Sequence, residues 1–166
     1  PREFNPSSKY KYSNPGYILL GAIIEKVSEV TFQEFVKTEI FDPIEMHNSY
    51  YDDVATIIPG RVKGYHRTED GFVNAEHFNN AIPHAAGGLA SSMDDLIKWN
   101  NAFHSGEVVS LKSYQAMTTP FTLHGGNDTE YGYGVEVLRS NNGELIAHQG
   151  GIFGFQSFIG TIPNLD

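Results

Sequence analysis

The apolar residues of this chain change period partway along it, and that change decides the fold class. Leu20, Ile23, Ile24 and Val27 fall at i, i+3, i+4 and i+7, the stripe of an amphipathic helix. Residues 131–139, 144–149 and 155–163 read instead as strands, and Asn141-Asn142-Gly143 is the turn signal between the first two. Helices first and strands last predict an α+β fold rather than a regular βαβ alternation. The chain has 166 residues, suited to one compact unit. It is 40% hydrophobic and 13% aromatic, enough to build a core that a disordered chain could not.

Local signals place the elements. Asn14 as N-cap and Pro15 as first helical residue open the first helix. The second starts near Phe32, with Thr31 and Glu34 as a capping box. Phe32, Phe35, Val36 and Ile40 form its apolar face, and Pro43 stops it. Residues 44–86 read as loops with short strands near 62–65 and 72–74. Residues 87–92 lead into a third helix that carries Leu96, Trp99 and Phe103 on one face. Its capping pair is Ser91 with Asp94 or Ser92 with Asp95. A short helix is expected over Leu111–Met117.

Several function classes fall away. With 20 acidic against 11 basic residues, the formal net charge is −9. Nucleic acid needs a basic footprint, and anionic lipid a polybasic handle. No apolar run reaches the ~18 residues of a membrane span. There is no cysteine, which removes thiolate chemistry and disulfides and fits a bacterial extracytoplasmic protein. The seven histidines form no metal motif. His77 and His84 straddle a proline-containing segment, and His66 stands near Glu69 and Asp70; both groups read as surface residues. No phosphate-cradling glycine loop is present, so no metal and no cofactor is expected.

Two short stretches remain that could carry chemistry. In Tyr12-Ser13-Asn14, Asn14 can be a cap and Tyr12 a packed ring. The pair can also be a proton-transfer phenol and an amide that holds a substrate carbonyl. A phenol with an ordinary pKa near 10 needs a neighbouring cation to act as a base. In His148-Gln149-Gly150, the pattern H-x-G recurs at His104–Gly106 and His124–Gly126. Only the His148 copy is flanked by strand patterns on both sides. Gly150 and Gly151 are either a bulged strand end or a place where substrate nears the backbone and an N–H binds an oxyanion.

The ordered set of motifs resembles the serine β-lactamase and penicillin-binding-protein superfamily. Y-x-N stands at a helix start, two apolar helices follow, and G-G-L-A-S-S precedes a Trp-bearing helix. Y-G-Y-G and a strand with H-x-G-G come next. The nearest likeness is to the class C β-lactamase-like branch of esterases and D-alanyl-D-alanine carboxypeptidases, over nearly the whole chain. That family uses S-x-x-K, then Y-x-N, then K-T-G or H-x-G. The resemblance implies a β-lactamase/DD-peptidase-like fold, represented by its helical region and part of its antiparallel sheet. It also implies Tyr12 in proton transfer, Asn14 on the substrate amide and the motif lysine, and His148 in the proton network. Gly150 belongs to the third motif, and Gly151 supplies an oxyanion N–H. A histidine in place of lysine weakens the attraction for a substrate carboxylate.

S-x-x-K occurs once, at Ser8-Lys9-Tyr10-Lys11, in a polar stretch abutting Y-x-N. The family places it many tens of residues earlier, on a buried helix, because serine and lysine must share a helix face. The nucleophile is therefore expected before Pro1, with residues 1–166 as a single incomplete C-terminal portion of the domain. Alone, this portion should not hydrolyse esters, amides or β-lactams. Sheet edges are expected around 144–149 or 155–163, open to self-association or to a complementary N-terminal fragment. The expected substrate is a small molecule or peptide with an ester or amide carbonyl, and the expected location is periplasmic or secreted. Two other readings compete: a non-catalytic relative that binds cell-wall peptide or a protein, and an unrelated α+β domain in which Asn14 is only a cap.

Overall fold

The computed structural model describes residues 3–76, 78–79, 81–141 and 143–163. Helices and antiparallel strands make up the α+β fold. The chain folds as two units, one holding Ser13–Trp99 and Gln149–Ser157, the other the segment up to Tyr12, Asn100–His148 and the chain from Phe158 onward.

Within the first of these, α1 spans Asn14–Ser28. Its cap is Ser13, one residue before the expected Asn14: Ser13 is extended, and its Oγ accepts the Gly16 N–H at 3.1 Å. Asn14 is already helical, so its side chain points outside the cap position. Pro15 sits within the first turn, where a missing N–H costs nothing. The helix ends at Glu29, whose left-handed backbone (φ 62°) returns its N–H to the Glu25 carbonyl.

Helix α2, Phe32–Val36, starts as expected, with the Thr31 hydroxyl accepting the Glu34 N–H. Another first-turn donor, the Phe32 N–H, goes to the Glu25 carboxylate of α1 at 2.9 Å. The chain then widens into a π turn over Lys37–Phe41, closed by the Asp42 N–H on the Lys37 carbonyl. The wider turn keeps Phe41, five residues past Val36, on the face that Phe32 and Val36 occupy. Those three and Met46 are the buried core, against which Ile24, Phe35, Ile40 and Trp99 pack.

Helix α1 meets this unit through a glycine. A Cβ on Gly21 would stand 2.6 Å from that of Ala85, in the 3₁₀ turn His84–Ala86. Of the predicted stripe only Ile24 packs on the core; Leu20, Ile23 and Val27 are 50%, 48% and 78% exposed.

The middle of the chain is more regular than expected. Strand β1 (Tyr50–Tyr51) pairs with β4 (Leu89–Ala90), two short strands that no periodicity announces. Strands β2 (Tyr65–Thr68) and β3 (Gly71–Asn74) form an exposed two-residue hairpin, beginning at Tyr65 rather than 62.

Helix α3, Met93–Ser105, begins with the Ser92 hydroxyl accepting the Asp95 N–H at 3.3 Å. The Asp95 carboxylate is wholly buried. It accepts the Asn48 N–H at 2.7 Å and the Ser49 hydroxyl at 2.9 Å, and Lys98 lies 3.4 Å away. Burial alone would raise this carboxyl; the two hydrogen bonds and Lys98 outweigh it and hold the group below the usual range.

In the other unit, α4 occupies Leu111–Met117, as expected, with a Ser110 cap. Tyr114 on it reaches His104 Nδ1 at 2.8 Å, and burial lowers the pKa of that imidazole. The three-stranded sheet runs β5 (Glu136–Ser140), β6 (Gly143–Ile152), β7 (Phe155–Thr161), in that order, and its residues 149–157 are counted with the first unit. Residues 131–135 are turns joined to β5 by one bridge, so the strand begins five residues later than expected. Ser140 pairs with Gly143 across the predicted turn, whose Asn142 lies outside the described residues. Residues 144–149 lie in the central strand and are no edge; the edges are β5 and β7. Val137, Ile146 and Ala147 are buried.

Candidate active site

Tyr12 belongs to the loop that enters α1, and its side chain is half exposed. Its ring centroid lies 6.1 Å from that of His148 and 6.0 Å from that of Tyr131, the latter edge-on at 88°. Tyr131 completes the triangle: its hydroxyl is 3.0 Å from His148 Nε2. Tyr10 packs on Tyr131, at 5.4 Å between centroids. Two phenol rings, those of Tyr12 and Tyr131, thus flank one imidazole, and two residues from opposite ends of the chain, Tyr12 and His148, become neighbours. A phenol and an imidazole at this range are proton donors and acceptors of the kind that general acid–base chemistry uses.

His148, Gly150 and Gly151 all belong to β6. The two glycines differ in their surroundings. A Cβ on Gly150 would meet the Ser157 hydroxyl of β7 at 2.5 Å, a contact that rotation of that hydroxyl relieves. Around Gly151 no heavy atom comes within 4 Å of that position. The space beside Gly151 is open for another molecule to approach the backbone.

Asn14 lies in the unit that begins at Ser13. It is exposed, and because Ser13 does the capping, its amide makes no hydrogen bond among the described residues. The purely structural account of Asn14 as a helix cap therefore fails.

Ser8 and Lys11 are not arranged as a nucleophile and its base. They sit in a loop; Ser8 donates to the Asn5 carbonyl at 2.8 Å, and Lys11 pairs with Glu3 at 2.6 Å. His84 packs on Phe32 and reaches the Tyr51 hydroxyl at 3.0 Å, and His66 lies on the exposed hairpin. His77 lies outside the described residues. Among the described residues no three His, Asp or Glu side chains gather as a metal site. The tyrosine on His148 was not singled out from sequence as a site residue; its only signal is the stretch Tyr131-Gly132-Tyr133-Gly134.

Residues 1–166 match the Beta-lactamase family. A D-aminopeptidase of Gluconobacter oxydans is 27% identical over 93% of this chain and 29% of its own length. Penicillin-binding protein 4* of Bacillus subtilis is 28% identical over 94% of this chain and 38% of its own. The octameric penicillin-binding protein homologue from Pyrococcus abyssi superposes with a TM-score of 0.81 at 31% identity, over 96% of this chain and 37% of that one. The chain thus spans less than two fifths of each of these proteins. The fold, the order of its motifs and these matches together make the chain a member of the Beta-lactamase family, a family of serine hydrolases.

Proposed function

We propose that this chain is the C-terminal portion of the domain of a serine acyl-transfer hydrolase. Tyr12 moves the proton, Asn14 holds the substrate amide, and His148 supports the proton network. Gly151 gives an N–H to the oxyanion. The observation that carries this reading is the meeting of Tyr12 and His148, 6.1 Å apart between ring centroids although 136 positions separate them in the sequence. The amide of Asn14, which makes no hydrogen bond among the described residues, is consistent with it.

The serine lies outside these 166 residues. Ser8 and Lys11 are engaged elsewhere, and the relatives are more than twice as long. In the intact protein that serine Oγ attacks the carbonyl carbon of an ester or amide. Tyr12 takes its proton and passes it to the leaving oxygen or nitrogen as the acyl bond breaks. Water then attacks the acyl-enzyme and regenerates the serine. The surroundings of Tyr12 are aromatic, so the positive charge that steadies a phenolate comes from the motif lysine, also outside this chain. Peptidoglycan stem peptides, small esters and β-lactams fit this chemistry, and the D-aminopeptidase relative favours an amide of a D-amino acid. Such substrates put the protein in the periplasm or outside the cell. No described helix is long and apolar enough to cross a membrane.

The test compares the full-length protein with the 166-residue chain. Each is treated with a fluorophosphonate and with a penicillin, then mapped by mass spectrometry. An adduct on the full-length protein alone, at a serine outside these residues, is the expected result. An adduct on Ser8 overturns the placement of the nucleophile. No adduct on either leaves a protein that binds cell-wall peptide without turnover.

A further inference from the structure

We infer that Tyr131 is the positioning residue of His148: its hydroxyl fixes the ring and selects the tautomer that carries its proton on Nδ1. This rests on the reading of His148 as part of the site. The phenol oxygen stands 3.0 Å from Nε2. A phenol is a better donor than acceptor, because its oxygen lone pair is delocalised into the ring. The bare nitrogen of a neutral imidazole is a strong acceptor. The bond therefore runs from Tyr131 to Nε2, and the imidazole proton resides on Nδ1. Among the described residues Nδ1 makes no hydrogen bond, so its N–H is the donor left for a substrate or for the proton network.

The structure holds Tyr131 itself in place. Its carbonyl accepts the Phe121 N–H at 3.0 Å, and its N–H donates to the Thr129 hydroxyl at 3.3 Å. Tyr10 and Tyr12 pack against its ring. Gly132 follows, where a Cβ would collide with the Met117 carbonyl oxygen at the end of α4. A lone histidine on a strand end can spin about its χ2 and exchange tautomers. One tied at Nε2 by a phenol that is itself held in place cannot do so freely.

Nitrogen-15 NMR of His148 in the full-length protein, at a pH where the imidazole is neutral, tests the inference without activity. The expected two-bond coupling pattern is that of a single Nδ1–H tautomer; a mixture, or the Nε2–H form, overturns it. Tyr131→Phe keeps the ring and removes the bond. It should restore a tautomer mixture and slow acylation about five- to tenfold, with little change in KM. Tyr133→Phe, a control in the same stretch, should change neither. His148→Ala separates the two claims. If it leaves acylation intact, the reading of the site fails, and the inference with it. If it slows acylation while Tyr131→Phe alters neither tautomer nor rate, only the positioning role fails.

Discussion

Ser13 and Asn14 are neighbours with separable jobs, and that separation can be measured. Ser13 is the cap, so Ser13→Ala should lower stability by about 1 kcal/mol with little effect on acylation. Asn14 is helical but uncommitted, so Asn14→Ala should leave the thermal midpoint nearly unchanged while acylation of the full-length protein falls by tenfold or more. Thermal unfolding and stopped-flow acylation check the pair; stability loss at Asn14 would return it to a structural role. Asp95 is a different kind of residue. Its folded pKa is depressed, so its stabilisation is fully present above the unfolded value of about 3.9 and fades as pH falls through the lower folded value. Asp95→Asn should cost about 1–3 kcal/mol near neutrality, because the Asn48 N–H and Ser49 hydroxyl lose a charged acceptor. It should also flatten the dependence of the unfolding midpoint on pH below about pH 4. An unchanged acid limb in the variant would assign that dependence to other carboxylates.

Elements were legible where one local rule decided them. Leu111–Met117 is a helix with a serine cap and is read correctly to the residue. The existence of α1, α3, β6 and β7 follows from apolar pattern. What escaped needed information from far along the chain. β1 and β4 are two residues each, and only their mutual pairing makes them strands. The π turn at Lys37–Phe41 answers the need to bury Phe41, which no helix propensity encodes. Asp95 reads as a helix-start acid, yet loop residues 48 and 49 claim its carboxylate. Of the candidate site residues, Tyr12, Asn14 and His148 stand out as motifs, while the partner of His148 does not, because Tyr131 lies in an irregular segment. Gly132 makes that segment testable. Gly132→Ala sets a Cβ against the Met117 carbonyl, and should cost about 2 kcal/mol or more and disturb the His148 resonances. Native-like stability with unshifted resonances would mean that the segment yields easily and does not hold Tyr131.

At the scale of the whole molecule, the open question is what covers α1. Leu20, Ile23 and Val27 form a continuous apolar stripe along one helix face, and all three are at least 48% exposed. Water contact along such a stripe marks an interaction surface. The helix is held along the adjoining face, through Gly21 and Ile24. We expect the rest of the same protein to cover the stripe, since the chain spans less than two fifths of the relatives compared with it. The prediction contrasts two samples. Ile23→Ser in the full-length protein should cost about 2–3 kcal/mol, the loss of a buried aliphatic side chain. In the 166-residue chain the same change should leave the unfolding midpoint nearly unaltered and reduce self-association, measured by sedimentation velocity. Equal destabilisation in both samples would mean that the stripe is already covered within these residues. No loss in the full-length protein would turn the stripe into a docking face for a second copy or another partner.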